Sequence, residues 1–371
     1  MKRIGASRTI FVLFVVLSAS GLAYFAFATS YLEHRNAHAA YARKDYDAAF
    51  SQWKLLAETG DADAQFNLGI LYSQGQGAAR DLVQTTHWWR KAAAAGHLEA
   101  TYTLGAAYLL GTGGERDNKL AAEWLRKAAE RGHAEAQGQL GNLYVKGLGL
   151  PRNDRLAVEW WRKAALQGNA QAQFHLGRAY ADGQGTLKDD AEAFEWISKA
   201  ADQAYPDAEH SLAVIYSLGS GVTADHAKAL AWLHKAAEHG QALAQLKLGF
   251  VYLNGNGVPQ SSSSAVSWWG KAAEQGDTDA QQRLGIAYAN GDGVAKDIDA
   301  ALMWWRKAAD QGHAVAQYNL GTVFYNGIDV ARDYEEAARW FSKAAAQGDA
   351  DAQARLNSMR ERELIRSQDT L

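Results

Sequence analysis

The chain has 371 residues, with 38 basic against 41 acidic side chains and a formal net charge of −3, so no excess positive field marks it for nucleic acid. It contains no cysteine, which excludes disulfides, thiolate metal sites, a thiol nucleophile and a lipid-modified N-terminal cysteine. Only three prolines, together with abundant alanine, favour helix over a loop-rich fold.

The first element in chain order differs in kind from the rest. Lys2, Arg3 and Arg8 precede residues 10–32, IFVLFVVLSASGLAYFAFATSYL, which carry no charge before Glu33. As a secretory signal, residues 10–17 are the apolar region and Ala26-Phe27-Ala28 is an A-x-A cleavage site. As a transmembrane anchor, residues 10–32 supply the roughly 20 apolar residues a span needs, with Tyr24, Phe25, Phe27 and Tyr31 toward the far boundary. The length of the run favours the anchor. In both cases the basic flank stays in the cytoplasm and the rest faces the other side, which points to a bacterial periplasm. The protein is expected there either anchored to the inner membrane by residues 10–32 or exported after cleavage near Ala28, with membrane contact through this segment only. His34 and His38 follow at i, i+4 spacing but have no third ligand, so they read as a polar pair, and no metal site is expected.

A phrase then repeats. WWRKAA at residues 88–93 returns as WLRKAA, WWRKAA, WISKAA, WLHKAA, WWGKAA, WWRKAA and WFSKAA, each tryptophan 36 residues after the last. Periods of this size mark stacked helical arrays. Columns are numbered 1 to 36 from Ala62, which yields eight units at 62–97, 98–133, 134–169, 170–205, 206–241, 242–277, 278–313 and 314–349. Residues 33–61 precede them as an N-terminal capping unit, and residues 350–371 begin a ninth first helix and end in a charged tail. Atypical ends are what an open array requires.

Each unit predicts two helices. In the first, Ala64, Leu68, Gly69 and Tyr72 fall on one helical face, column 7 is leucine in every unit, and column 8 is glycine except at Ala213. Glycine inside a helix costs roughly 1 kcal/mol against alanine, so its recurrence implies close helix-to-helix approach. The G-x-G loops that follow lack the phosphate-binding spacings and read as helix caps. Column 20 holds Asp81, Asp117, Asn153, Asp189, Asp225, Ser261, Asp297 and Asp333, which read as N-caps of the second helix and not as catalytic carboxylates. The second helix carries an apolar stripe at columns 24, 27, 28, 31 and 32. Its column 27 tryptophans, Trp88, Trp124, Trp160, Trp196, Trp232, Trp268, Trp304 and Trp340, are expected to form the repeat core. Column 28 accepts Leu125, Ile197 and Leu233, as a volume-filling position does. The column 30 lysine is expected away from the stripe, favoured by the helix dipole and by acids three residues on.

The columns A-x-A-x-x-x-L-G-x-x-Y, G-x-G and W-x-x-K-A-A-x-x-G resemble the Sel1-like repeat family over residues 62–349, and residues 39–60, with Trp53 in register, look closer to a tetratricopeptide unit. The resemblance implies an all-α fold: an α/α solenoid superhelix of about eight 36-residue repeats with a tetratricopeptide-like N-terminal unit and a C-terminal capping helix. It also implies a non-catalytic protein-protein interaction scaffold or adaptor whose first helices line a concave groove. A cysteine-rich bacterial branch of the family is linked to β-lactams, and the absence of cysteine argues against that branch here.

If the first helices line a groove, columns 2, 5, 9 and 12 face it, and the candidate partner-binding residues are Phe66, Ile70, Tyr102, Leu109, Phe174, Leu246, Phe250, Tyr318 and Tyr325. An exposed apolar row of this kind fits a protein or peptide partner. The column 5 aromatics Phe66, Tyr102, Phe174 and Tyr318 fit core or inter-helix packing equally well. Sequence signatures of zinc proteases, serine hydrolases and calcium loops do not occur, so neither catalysis nor a cofactor is expected. The expected role is regulation or assembly in the bacterial cell envelope. The alternative is binding or processing of an envelope polymer, peptidoglycan or polysaccharide.

Overall fold

The computed structural model describes residues 32–365. The signal-or-anchor segment lies outside the described residues except for Leu32, as does the end of the charged tail; no helix among the described residues is long and apolar enough to cross a membrane. Helix α1 covers residues 32–42 and α2 covers Tyr46–Glu58. The repeats then contribute α3 (Ala62–Gln74) and α4 (Leu82–Ala94), α5 (Leu98–Leu110) and α6 (Asn118–Glu130), and α7 (Ala134–Lys146) and α8 (Asp154–Leu166). These are followed by α9 (Ala170–Asp182) and α10 (Asp190–Ala201), α11 (Pro206–Leu218) and α12 (His226–Glu238), and α13 (Ala242–Asn254) and α14 (Ser262–Glu274). The series ends with α15 (Thr278–Asn290) and α16 (Ile298–Asp310), α17 (Ala314–Asn326) and α18 (Tyr334–Ala345), and a last helix α19 (Ala350–Glu361). No strand occurs among the described residues. The chain forms two compact units, one running to Ala179 with Gly183–Leu187, the other comprising Tyr180–Asp182 and the chain from Lys188 onward. Within the first unit each helix from α2 to α8 packs on the next, and within the second so does each from α10 to α19, as in a repeat solenoid.

Caps set the helix boundaries. All eight column 20 side chains accept backbone amides at the start of a second helix, as Asp81 Oδ1 does from Val83 and Gln84 at 2.9 and 3.0 Å. First helices end on glycine; the Gly75 amide, at φ 70°, closes onto the Leu71 carbonyl in the left-handed conformation that lacks a steric cost only for glycine. The starts of first helices carry a device the sequence pattern did not reveal. Column 36 caps them, through Asp61, Asn169, Asp277 and, less expectedly, through His97, His133 and His313. Each of these imidazoles accepts an amide at Nδ1, which leaves the proton on Nε2 to be donated to the column 2 acid of its own repeat. The pairs are His97 with Asp63 at 3.2 Å, His133 with Glu99 at 3.0 Å and His313 with Asp279 at 3.0 Å. One side chain thus starts the first helix of the next repeat and ties it to the first helix of its own.

Beneath the caps, column 8 and column 28 form the core pair. A Cβ added at Gly69, Gly141, Gly249 or Gly285 would overlap the indole of Trp89, Trp161, Trp269 or Trp305, so glycine is the seat into which the bulky residue sinks. These column 28 side chains are all buried, with Leu125 and Phe341 at 0% exposure. Of the column 27 tryptophans expected to form the core, three lie inside it and five at its edge. Trp88, Trp196 and Trp340 are buried, whereas Trp124, Trp160, Trp232, Trp268 and Trp304 are only half-buried. Adjacent helical residues point about 100° apart, and column 28 takes the inward direction. The lysine of column 30, one turn on, lies over the column 27 ring in all eight repeats, with Nζ 3.7 to 4.5 Å from the ring. It does not stand apart from the stripe; it covers the outer face of the tryptophan as a cation over a π-system.

Buried glutamines stitch successive repeats. Gln65, Gln137, Gln173, Gln245, Gln281 and Gln317 each donate Nε2 to a backbone carbonyl of the preceding second helix at 2.9 to 3.1 Å. The oxygens of Gln137, Gln245, Gln281 and Gln317 accept from another glutamine, as Gln281 does from Gln311 at 3.0 Å. Repeat 206–241 replaces this amide pair by Glu209 and His239, 2.8 Å apart, with Glu209 buried.

Candidate partner-binding surface

The nine candidate residues divide according to their columns. Column 5 packs between neighbouring repeats. Phe66 stacks on the capping His97 with ring centroids 4.6 Å apart, Tyr102 stacks on His133 at 4.4 Å, and Tyr318 lies against Phe341 at 5.5 Å. Phe174 and Leu246 are buried, at 7% and 6% exposure. These two therefore present little surface to a partner. Burial, then the charges of Glu135 and Glu99, push the Tyr102 phenol above its ordinary value, against a smaller opposing effect from Gln139, which donates to it at 3.1 Å. The hydroxyl stays neutral and serves as an acceptor in packing.

Columns 9 and 12 share the half-buried state of Phe66, Tyr102 and Tyr318 in column 5. Ile70, Leu109, Phe250 and Tyr325 are half-buried, each keeping part of an apolar surface open to solvent. Ile70 packs beside Trp89. Leu109 borders a shallow recess of about 360 Å³ with Gln139, Asn142, Leu143 and Lys146. Phe250 meets Trp269 edge-on at 5.5 Å and lies under the Arg283 guanidinium at 5.0 Å. Tyr325 is flanked by Tyr334 at 5.6 Å and by Arg355 at 5.8 Å. Column 2 adds two exposed apolar positions, Leu243 and Val315, where most other repeats carry acids. Ile70 and Leu109 belong to the first unit, Phe250 and Tyr325 to the second. Partly open apolar side chains beside arginine or glutamine, as at Leu109, Phe250 and Tyr325, are suited to contact with side chains of another polypeptide.

The model of the family described as Sel1 repeat matches residues 62–97, 98–133, 134–169, 170–205, 206–241, 242–277, 278–313 and 314–349. The chain belongs to the Sel1 repeat family. Among solved structures it is similar to a protective antigen present in uropathogenic Escherichia coli strains and displaying an SLR fold, at 39% identity over 86% of this chain and 68% of that one, with a TM-score of 0.71. It is also similar to a Sel1 repeat protein from Oxalobacter formigenes, at 39% identity over 79% of this chain and 85% of that one, with a TM-score of 0.66. A signal transduction ATPase with a tetratricopeptide repeat sensor from Pyrococcus horikoshii, 14% identical over 90% of this chain and 54% of that one with a TM-score of 0.50, shares the fold alone. No curated protein matches the chain. Sel1 repeat proteins are generally protein-interaction scaffolds, and a protein partner is the general expectation for this fold.

Proposed function

We propose that this Sel1 repeat protein is a non-catalytic scaffold or adaptor of the bacterial cell envelope, binding a protein or peptide through its first helices in a regulatory or assembly role. The observation that carries the reading is the contrast within each first helix: columns 7 and 8 are buried, while the apolar residues Ile70, Leu109, Phe250 and Tyr325 on the same helices stay partly open. Surface of that kind is what a partner side chain covers. The envelope location is supported by the N-terminal sequence, with Lys2, Arg3 and Arg8 ahead of the uncharged residues 10–32. The similar protein from uropathogenic Escherichia coli is a protective antigen.

Crosslinking of the full-length chain in bacterial membranes tests the binding face. Ile70→Asp combined with Phe250→Asp is expected to reduce the captured partner at least tenfold while the helical circular dichroism is kept. An unchanged set of crosslinked proteins, or capture of cell-wall fragments in place of protein, would sink the reading. The N-terminal residue of the same material tests location. Met1 on membrane-bound protein is the expected result, Thr29 marks cleavage after Ala28, and Met1 on protein confined to the cytosol removes the envelope role.

A further inference from the structure

We infer that repeat 206–241 carries a pocket for a small apolar monocarboxylate, seated among α11, α12, α13 and the loop after α13, independent of the scaffold reading. Two departures from the repeat pattern create it. The first is the core pair, where Ala213 replaces the column 8 glycine and faces Leu233 in column 28. Under Gly105, Leu125 sinks to 0% exposure, whereas Leu233, beside the Ala213 methyl, remains half-buried. The second is the loop. At Gly77, Gly149, Gly185, Gly221 and Gly293 the second loop glycine lies against the first carbonyl of the preceding second helix, so that a Cβ at Gly221 or Gly293 would strike the carbonyl of Asp190 or Ser262. A Cβ at Gly257 would meet only Leu230 Cδ2, at 3.2 Å, so this loop stands off the start of α12. The space left by both changes is a cleft of about 750 Å³, within the size range of small-molecule sites.

The lining identifies the ligand. Ala213, Val214, Leu230, Leu233 and Val251 make most of the wall apolar, with Ser217, His226 and Asn256 as further polar lining. Lys247, one turn before Val251 on α13, supplies a cation that forms no ion pair among the described residues. No aspartate or glutamate lines the cleft. The nearest acids are already engaged: Asp225 caps α12 and reaches Lys228 at 3.5 Å, and Asp207 accepts from Gln241 at 3.4 Å. His210 completes the inner wall, with Nε2 buried and without a hydrogen-bond partner. Burial first, then Lys247, lowers its pKa to about 4 against the opposing charge of Asp207, so the ring is neutral and adds no second cation. One unpaired positive charge beside apolar walls matches an apolar body with a singly charged anionic head.

The probe is 4-phenylbutanoate, with 4-phenylbutan-1-ol as its uncharged counterpart, titrated calorimetrically into the purified full-length chain. The acid is expected to bind at least tenfold more tightly than the alcohol, and Lys247→Gln to bring the two within about twofold. The double variant Ala213→Gly with Leu233→Trp restores the glycine and tryptophan pair that fills this space in other repeats; it is expected to melt no lower than the parent and to bind neither probe. Equal binding of alcohol and acid to the parent, absence of saturable binding, or undiminished binding by the filled variant would each overturn the proposal. Lys247→Gln, at an exposed position, decides the charge preference even if the filled variant fails to fold. Partner capture through Ile70 and Phe250 is read separately, so failure of one proposal leaves the other standing.

Discussion

Gly285→Val is expected to destabilise the full-length chain by about 2–3 kcal/mol, the cost of forcing extra atoms into a close-packed core. A Cβ at this position would fall within the Trp305 ring. The indole cannot retreat, because it is 4% exposed and its Nε1 donates to the Gln282 carbonyl at 3.2 Å. The control is Gly270, in the interior of α14, where an added Cβ meets nothing within 4 Å. Gly270→Ala should stabilise α14 by up to about 1 kcal/mol, since only the helix preference of glycine is being relieved. Denaturant unfolding combined with hydrogen exchange at α15 and α16 reads both effects locally, which matters in an array where each repeat is held mainly by its neighbours. Equal effects of the two substitutions would show that column 8 is not the seat of column 28.

The architecture was legible in the chain because the 36-residue period carries helix, loop and cap at fixed places, and the Sel1 pattern follows from those columns. Column 20 announced its role since aspartate, asparagine and serine are the ordinary N-cap residues. The histidine caps did not, because an imidazole is not usually counted as a cap and His97 gives no hint in sequence that it reaches back to Asp63. The stitching glutamines were hidden for a related reason: a polar residue repeated in column 4 reads as solvent-facing until the carbonyl it satisfies is known. The candidate surface was half legible. Columns 9 and 12 follow from helical period alone, but whether column 5 turns out or in depends on the neighbouring repeat, and there Phe66 meets His97 and Phe174 is buried. Repeat 206–241 is the instructive case, since Ala213 was visible as the one break in column 8 while its consequence needed the position of Leu233.

The adjacent tryptophans of the recurrent phrase should separate sharply on mutation. Trp305→Ala is expected to cost about 3–5 kcal/mol, since it empties the space beneath Gly285 and removes the second donor to the Gln282 carbonyl. Trp304→Ala should cost about 1–2 kcal/mol, because its ring is only half-buried and what is lost is partial burial together with the Lys307 contact at 4.2 Å. Lys307→Met, which keeps an apolar stem over the ring but removes the charge, should lower stability by less than about 1 kcal/mol and have no further effect once Trp304 is alanine. That non-additivity is the signature of a direct cation–π contact and is measurable by a double-mutant cycle on the full-length chain. If Trp304→Ala proves as costly as Trp305→Ala, the inward direction belongs to both columns and the division between core and cover fails. If the order holds, the outer tryptophan with its lysine is an amphipathic cover repeated along the second helices.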